Sequence, residues 1–279
     1  MIDKLKQDLK NININCENLT VGDFTFDFYI KEFNYLIFII DPEMYNEKTT
    51  NNKFLYDLRK KLDEMEIESL FIYKSEIVKN YEIYWNRLLY KFNINSVSVY
   101  ARQCEVKEID NDTYKKFLKE FHLQGYVSSK IKLGLFYNDI LISIMSFGVP
   151  RFTKNYEYEL SRYCSRTGYK IVGGASKLFT FFVKNYNFNN IICYSDMMIG
   201  YGNFYEKLGF KRLNDTGPGF QWYHPNTQQI YNRRGFWKNQ LSKKLESFDP
   251  QISAHNNMRN NGYYKIFNLG NNVFVYEKL

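Results

Sequence analysis

The chain has 279 residues, of which 44% are hydrophobic and 19% aromatic, and its formal net charge is +8. This length predicts one large domain or two ordinary ones. The longest apolar run, residues 35–40, is too short to cross a bilayer, and the charged N-terminus is unlike a secretion signal. The scattered cysteines exclude a disulfide framework and a zinc ribbon. We therefore expect a soluble, cytoplasmic protein with no membrane partner.

The positive charge is concentrated in the last two thirds of the chain. Residues 1–95 carry 13 Lys and Arg against 16 Asp and Glu. The balance is 17 against 11 in residues 96–225, and 8 against 3 in residues 226–279. Any surface that binds a polyanion is therefore expected in residues 96–279. The aromatic excess is also explained by the codon bias of an AT-rich genome, so charge is the more informative signal.

The first segment, residues 1–95, has the pattern of a small α/β domain. The predicted elements are strands over 24–30 and 35–40, a helix over 52–65, a strand over 69–73 and a helix from about residue 75. Over residues 21–92 this order resembles the restriction-endonuclease-like domain of phage homing-type endonucleases, which are akin to very-short-patch repair nucleases. The resemblance implies Mg²⁺ held by carboxylates on two successive strands.

Only part of that implied metal site is present. Asp27 matches the first acid, but Phe38 stands where the second is expected, and the histidines expected just downstream are missing. We therefore predict an inactive domain in which Asp27 is the vestige of a metal site. Two alternatives stay open. Asp27 is a solvated strand residue of a generic α/β domain, or Asp41 or Glu43 completes a working Mg²⁺ site after a register shift.

The second segment, residues 96–225, is predicted to alternate strands and helices. The predicted elements are a strand over 97–109, a helix over 111–121 with Asp112 as N-cap, strands over 131–137 and 140–147 joined by Asn138-Asp139, a strand over 156–164, a glycine loop at 170–177, a helix over 178–185, a strand over 191–195 and a helix over 202–208. This order, β-α-β-β-β-α-β-α-β, resembles the GNAT acyltransferase fold.

Two motifs carry this resemblance. Lys170-x-x-Gly173-x-Ala175 is similar to the GNAT pyrophosphate loop, with Lys in place of the usual Arg or Gln. The stretch 203–210 is similar to the GNAT region in which a Tyr serves as general acid, and places Tyr205 in that role. The resemblance implies acyl-CoA, or a related nucleotide-linked donor, bound by backbone N–H groups at a helix N-terminus. The implied cofactor-binding residues are Lys170, Gly173, Gly174, Ala175 and Ser176.

Acyl transfer to an amine needs a base that removes a proton and an acid that protonates the departing sulfur. Glu159 is the candidate base and Tyr205 the candidate acid. Further side chains expected at the same cleft are Ser161, Arg162 and Asp196. Three of these residues have a structural alternative. Glu159 is a solvated strand residue, Tyr205 is a core aromatic, and Arg162 forms a salt bridge with Glu159 or Glu157. His122 is expected at a helix end, either as a structural histidine or at the lip of the cleft.

Two more stretches, 160–164 and 194–196, resemble the C-terminal domain of the same phage proteins and the GNAT-like Mom family, which modifies adenine in DNA. The resemblance implies a phage-infected bacterial host. In the tail, a basic helix and a β-hairpin over 263–276 are predicted. Basic side chains beside aromatic ones bind phosphates and stack on bases. The candidate nucleic-acid-binding residues are Arg233, Arg234, Trp237, Lys238, Lys243 and Lys244.

The sequence thus predicts an α/β protein in three parts: a degenerate nuclease-like domain (1–95), a GNAT-like domain (96–225) and a basic extension (226–279). The leading hypothesis is a GNAT/Mom-like transferase that acts on nucleic acid, with DNA favoured. The alternatives are a homing-type endonuclease that cuts DNA with Mg²⁺, a non-enzymatic DNA- or partner-binding module, and an ordinary acetyltransferase of small molecules or proteins. The sequence does not indicate an oligomeric state.

Overall fold

The computed structural model describes residues 1–94 and 97–278, and these form a mixed α/β protein, which confirms the predicted fold class. Asn95 and Ser96, where the first boundary is predicted, lie outside the described residues. The helices are α1 Ile2–Asn11, α2 Phe54–Glu64, α3 Lys74–Lys79, α4 Tyr81–Lys91, α5 Asn111–Phe121, α6 Gly174–Asn185, α7 Asn203–Lys207, α8 Lys238–Leu241 and α9 Ala254–Asn260. None of these described helices is long and apolar enough to span a bilayer.

The strands are numbered in the same way. They are β1 Glu17–Val21, β2 Phe24–Ile30, β3 Tyr35–Ile40, β4 Glu68–Tyr73, β5 Val97–Tyr100, β6 Glu105–Glu108, β7 Ile131–Tyr137, β8 Ile140–Gly148, β9 Tyr158–Ser165, β10 Tyr169–Val172, β11 Asn190–Asp196, β12 Lys211–Asp215, β13 Gly219–His224, β14 Gln229–Tyr231, β15 Tyr264–Asn268 and β16 Asn271–Glu277.

Contacts divide the chain into two compact units whose segments alternate along the sequence. Unit 1 consists of Met1–Lys79, Asp196–Gly200 and Thr216–Asn271. Unit 2 consists of Asn80–Ser195, Tyr201–Asp215 and Asn272–Leu279. The sequence predicts three consecutive segments instead, with boundaries at 95 and 225, and that division stays a prediction.

Unit 1 contains a four-stranded sheet, in the order β1-β2-β3-β4, and a three-stranded sheet, in the order β14-β13-β15. β2 and β3 have the predicted bounds because their side chains alternate or are apolar throughout. α1 and β1 were not predicted, since α1 buries only Leu5 and Leu9 and β1 only Val21. Apolar side chains of the four-stranded sheet, α2 and the three-stranded sheet share one core cluster.

A buried arginine ties three parts of unit 1 together. Arg59 of α2 is 1% exposed, and its Nε donates to Asp63 Oδ1 at 3.0 Å. Its Nη1 donates to the carbonyls of Ser69, at 3.0 Å, and Met197, at 2.9 Å. A buried charge is tolerated only when its donors are paired in this way. Arg59 therefore fixes the segment Asp196–Gly200 to α2 and β4.

Unit 2 contains a seven-stranded sheet in the order β12-β16-β11-β9-β8-β7-β6. The predicted hairpin of β7 and β8 is confirmed, and positive φ angles at Asn138 and Asp139 (48° and 60°) fit a tight hairpin turn. The predicted order of strands and helices holds from α5 to β9 and from α6 to β12, but β5 and β6 replace one predicted strand, and β10 (Tyr169–Val172) is an additional strand where only the glycine loop was predicted. β6, β7, β8 and β9 each pair antiparallel with the next strand, and β9 then pairs parallel with β11.

Two local predictions in unit 2 are wrong. The strand predicted over 97–109 is two strands, because a 3-10 turn at Ala101–Gln103 separates β5 from β6. β5 pairs with β10 in a small parallel sheet of its own. The N-cap of α5 is Asp110 rather than Asp112, since Asp110 Oδ1 accepts the N–H groups of Asp112 and Thr113 at 2.8 Å and 2.9 Å.

The tail hairpin predicted over 263–276 is also wrong. β15 pairs with β13 in the three-stranded sheet, whereas β16 lies between β12 and β11 in the seven-stranded sheet. β15 begins with alternating burial, whereas β16 is buried over four successive residues, and the chain between them passes from one sheet to the other. The predicted basic helix is only the four-residue α8, with a 3-10 turn at Arg233–Gly235 before it.

This passage between sheets depends on Gly270. Its φ is +79°, and a Cβ there would lie 1.9 Å from the carbonyl oxygen of Gly217. We predict that Gly270→Ala lowers the free energy of unfolding by about 3 kcal/mol or more, because backbone must move to admit the methyl group. Urea unfolding followed by circular dichroism measures the loss.

Gly217 provides the matched control for this substitution. Its φ is also positive, +66°, but a Cβ there meets nothing within 4 Å. Gly217→Ala should therefore cost only the left-handed backbone penalty of about 1–2 kcal/mol. Equal losses for the two variants would contradict the steric argument.

Candidate active site

The seven-stranded sheet opens where β9 and β11 meet. The two parallel strands are in register at Tyr158 with Ile191 and at Glu159 with Ile192. Both strands then continue, to Ser165 and Asp196, beyond this short register. Parallel strands that separate leave backbone N–H and C=O groups that need other partners. The gap between them is the candidate active site of unit 2.

A β-bulge lies on β9 at the same place. The register of β8 with β9 shifts between the pairs Ser146–Arg162 and Phe147–Leu160, so Ser161 is the additional residue. A bulge changes the direction of the side chains that follow it and is common beside active sites. Ser161 itself is buried, and its Oγ donates to the Glu159 carbonyl at 3.1 Å.

Glu159 is buried in the gap and paired with an arginine. It is 1% exposed, so the alternative of a solvated strand residue is wrong. Arg151 donates its backbone N–H to Oε2 at 2.9 Å and its Nε to Oε1 at 2.8 Å, and its Nη2 also contacts Oε1. Both carboxylate oxygens of Glu159 are therefore occupied by one residue, Arg151, whose side chain is 34% exposed.

Arg162 has different partners from those predicted. Its Nε donates to the Gly125 carbonyl at 3.0 Å and its Nη1 to the Ser161 carbonyl at 2.8 Å. None of the carboxylates in the described ranges forms an ion pair with it, and Glu157 bonds Asn189 instead. The predicted salt bridge with Glu157 or Glu159 is therefore wrong. Burial, followed by the charge of Arg151, lowers the pKa of the Arg162 guanidinium.

His122 lies at the end of α5, as expected, and is a neutral structural histidine. Its Nδ1 accepts the backbone N–H of Gln124 at 3.1 Å. Burial, together with the charges of Arg162 and Arg87, lowers its pKa to about 3. A proton on His122 is therefore unfavourable at neutral pH, and the imidazole acts as an acceptor.

Tyr205 lies on α7 among aromatic rings. Its ring centre is 4.2 Å from that of Phe204 and 5.2 Å from that of Phe274. Burial is the main cause that raises the pKa of its hydroxyl, so the phenol keeps its proton well above neutral pH. Phe204 also stacks on Tyr163 of β9, with 5.1 Å between ring centres. These rings connect α7 to the strand that carries Glu159 and Arg162.

The glycine loop leads from β10 into α6. Gly173 is the N-cap with φ +78°, and no side chain caps the first turn of the helix. A Cβ on Gly174 would lie 2.6 Å from Ile171, so glycine is required for close packing of α6 on the preceding strand. Lys170 Nζ donates to Asn93 Oδ1 at 2.9 Å. Ser176 is exposed at a groove of about 580 Å³ that also borders Lys184.

Asp196 belongs to a segment of unit 1. Its Oδ1 accepts the backbone N–H of Met198 at 3.0 Å. Burial and the charge of Asp196 raise the pKa of Glu76 to about 7. Four predicted catalytic side chains, Glu159, Ser161, Arg162 and Tyr205, thus belong to unit 2, whereas Asp196 is grouped with unit 1.

The tail residues belong to unit 1 as well. The Arg233 guanidinium lies 5.4 Å from the ring centre of Phe220, and Lys244 donates to the carbonyl of Gly235. Trp237 is 60% exposed. Arg234, Lys238 and Lys243 are exposed too, so the predicted basic residues lie at the surface.

The vestigial metal site is not assembled in unit 1. Asp27 is exposed between buried Phe26 and Phe28. The Phe38 ring packs 4.9 Å from that of Phe26, so the side chain at position 38 faces the core, away from Asp27. Asp41 accepts the N–H of Glu43 and pairs with Lys74 at 3.3 Å. The described part of the chain contains no group of three or more His, Cys, Asp or Glu side chains that could hold a metal ion.

Sequence reasoning missed Arg151 and the Tyr163–Phe204 contact. Arg151 precedes its partner Glu159 by eight residues, across a loop with no regular spacing, so no periodic signal connects them. The stacking of Tyr163 on Phe204 joins β9 to α7, which are far apart in sequence. Such contacts follow from the sheet order, which the sequence does not specify.

No protein-family model and no curated protein matches this chain. Among solved structures, an acetyltransferase of Bacillus subtilis in complex with CoA is 14% identical, and the match covers 63% of this chain and 99% of that one with a TM-score of 0.32. An N-acetyltransferase of Staphylococcus aureus is 15% identical over 62% of this chain and 97% of its own, with a TM-score of 0.30. With TM-scores this low, the two likenesses assign neither a family nor a function.

Proposed function

We propose that unit 2 transfers an acyl group from acyl-CoA, or a related nucleotide-linked donor, to an amine of a nucleic-acid base. The observation that carries the proposal is the separation of β9 from β11 in the same unit as an uncapped helix N-terminus at Gly173. Separated strands offer backbone groups to a polar chain, and an uncapped helix start offers N–H groups to a phosphate. A donor of this kind has both a polar chain and phosphates.

The residues of the glycine loop fit a pyrophosphate. The N–H groups of Gly174, Ala175 and Ser176 belong to the first turn of α6 and point out of the helix start. The positive end of the helix dipole favours an anion there. Lys170 contributes positive charge to β10, although its ammonium bonds Asn93. When bound, the donor supplies the activated acyl group and a thiolate leaving group.

Unit 2 supplies a candidate acid and a positioned cation. Tyr205 keeps its phenolic proton because burial raises its pKa, so the proton is present at neutral pH for a basic thiolate to take. Glu159 fixes Arg151, whose partly exposed guanidinium has donors beyond those that bond the carboxylate. In this arrangement Glu159 acts first as a positioning residue for Arg151. It accepts a substrate proton only when Arg151 is displaced.

The nucleic-acid acceptor is supported by charge rather than by an assembled pocket. The excess of Lys and Arg lies in residues 96–279, and the basic side chains of the tail are exposed. Polyanion binding needs cations that solvent and a ligand can reach. DNA remains the favoured acceptor because of the resemblance to phage DNA-modifying proteins noted above.

Mass spectrometry of nucleosides tests the proposal as a whole. The full chain is incubated with acetyl-CoA and single- or double-stranded DNA, which is then digested to nucleosides. We expect a new nucleoside heavier by one acetyl group. Unmodified nucleosides, together with no CoA binding in calorimetry, would contradict it.

Tyr205→Phe tests the acid. Removal of the hydroxyl should lower kcat about 100-fold or more, with little change in the Kd of CoA. Because the pKa of Tyr205 is raised, wild-type activity should not fall from loss of this proton below pH 10. Tyr186→Phe is the control, since the Tyr186 hydroxyl bonds Glu108 at the end of α6. Equal rates for both variants would exclude Tyr205 as the acid.

Ser176→Asp tests the donor site. A carboxylate in the first turn of α6 should stabilise the helix by about 0.3–1 kcal/mol, since it complements the dipole. The same charge should weaken CoA binding roughly fivefold or more, because it repels the pyrophosphate. Thr180→Asp adds the same charge one turn further along the helix. Calorimetry that gives equal Kd values for these two variants would argue against a pyrophosphate at the helix start.

A double-mutant cycle tests the Glu159–Arg151 pair. If Glu159 acts by positioning Arg151, then Glu159→Gln and Arg151→Gln should lower kcat/KM by similar factors, and the double variant should be no worse than either single one. Residues in direct contact show such non-additivity. Additive losses, or loss only in Glu159→Gln, would instead identify Glu159 as an independent base.

A further inference from the structure

The three-stranded sheet of unit 1 carries an aromatic face with embedded cations. Phe220 on β13 is opposite Phe267 on β15, and Trp222 is opposite Lys265. Residues directly opposite each other on paired strands project from the same face of a sheet. Phe220, Trp222, Lys265 and Phe267 therefore share one face. Tyr223, Tyr264 and Ile266 project from the other face, into the core of unit 1.

On this face two cations flank one ring. Arg233 lies 5.4 Å and Lys265 Nζ 4.9 Å from the ring centre of Phe220. We call Phe220, Arg233 and Lys265 the Phe220 patch. No carboxylate in the described ranges forms an ion pair with either cation. The Trp222 ring lies 5.6 Å from that of Phe220 on the same face and is 4% exposed, because it packs against Leu241, Leu245 and Met258.

The patch is accessible and its surroundings are basic. Phe220 and Lys265 are half-buried and Arg233 is exposed. Residues 216–271 carry seven Lys and Arg against two Asp and Glu. Cations that lie over an aromatic ring and lack a carboxylate partner complement a ligand that has both negative charge and planar rings.

We propose that the Phe220 patch binds single-stranded nucleic acid, with Arg233 and Lys265 on neighbouring phosphates and a base against Phe220. The choice of partner rests on the proposed function. A single strand fits better than a duplex, because only unpaired bases offer a face to an aromatic side chain. Phosphate and base are then bound by adjacent side chains of one sheet face. Neither Phe220 nor Lys265 was selected from the sequence, since they lie on strands far apart in the chain.

Fluorescence anisotropy with a labelled dT12 strand and the full chain tests this proposal. Kd is measured over a range of salt concentrations and without an acyl donor. Lys265→Gln and Arg233→Gln should each reduce the slope of log K against log salt by about 0.7, the value for one lost phosphate contact on a single strand. Phe220→Leu should weaken binding roughly fivefold or more without a change of slope, because a stacking partner is lost but no charge.

Lys6→Gln is the matched control, since Lys6 also lies over an aromatic ring, 5.3 Å from the centre of Phe28 in unit 1. Its slope should equal that of the wild type. Lys265→Arg keeps the charge and should keep the slope, which separates loss of a contact from loss of folding. Equal slopes for Lys265→Gln and Lys6→Gln would overturn the proposal.

Further ligands show whether the bound nucleic acid is DNA or RNA and whether a duplex or an anionic membrane binds in its place. Binding of U12 in place of dT12, with the same losses in the variants, would identify RNA as the strand and support the patch. Equal affinity for a 12-base-pair duplex, or binding only to phosphatidylserine vesicles, would overturn it. The assay contains no donor, so it is independent of transfer. If the variants show the predicted slopes but the nucleosides stay unmodified in the transfer assay, the result would contradict only the proposed transferase activity and not the Phe220 patch.

Discussion

The short register of β9 with β11 is the constraint on which the functional account depends. Two residue pairs hold the strands together, and beyond them each strand must find other partners for its backbone. β9 is bonded to β8 along its length, with a bulge at Ser161. The separation therefore exposes one side of β9 without loss of its place in the sheet. Glu159 stands at the last shared position, and Tyr163 lies beyond it.

Two buried charged side chains, Glu159 and Arg59, each have several hydrogen-bond partners. Glu159 uses both oxygens on Arg151, and Arg59 uses its donors on Asp63 and two carbonyls. Burial of an unpaired charge costs several kcal/mol, so each pair restricts the elements that carry it. In unit 1 the restriction fixes a segment from later in the chain. In unit 2 it fixes the loop before β9, which places a partly exposed guanidinium beside the gap.

Local patterns predicted the elements well but not their partners. β2, β3 and the β7–β8 hairpin follow from alternation and from turn residues that tolerate positive φ, and these signals lie within a few residues. The tail strands lie next to each other in the sequence, yet they belong to different sheets, because sheet order depends on contacts between distant segments. The grouping of residues 216–271 with the N-terminal segment has no local signal at all.

The candidate site shows the same division. The roles of the glycine loop and of Tyr205 were predicted from motifs made of neighbouring residues, and they stay predictions. Arg151 was missed, and it changes the role of Glu159 from a free base to one half of an ion pair. The sequence predicts that Phe38 leaves Asp27 without a second metal ligand, and this stays a prediction. The structure places the side chains of Phe38 and Asp27 on opposite faces of the sheet.

The most direct test of the central claim is hydrogen–deuterium exchange of the full chain with and without CoA. We expect slower exchange of the amides at Gly174–Ser176 and along the separated part of β9, residues 160–165, when CoA is present. Unchanged exchange at both places, or protection confined to other segments, would contradict the assignment of a donor site to this gap.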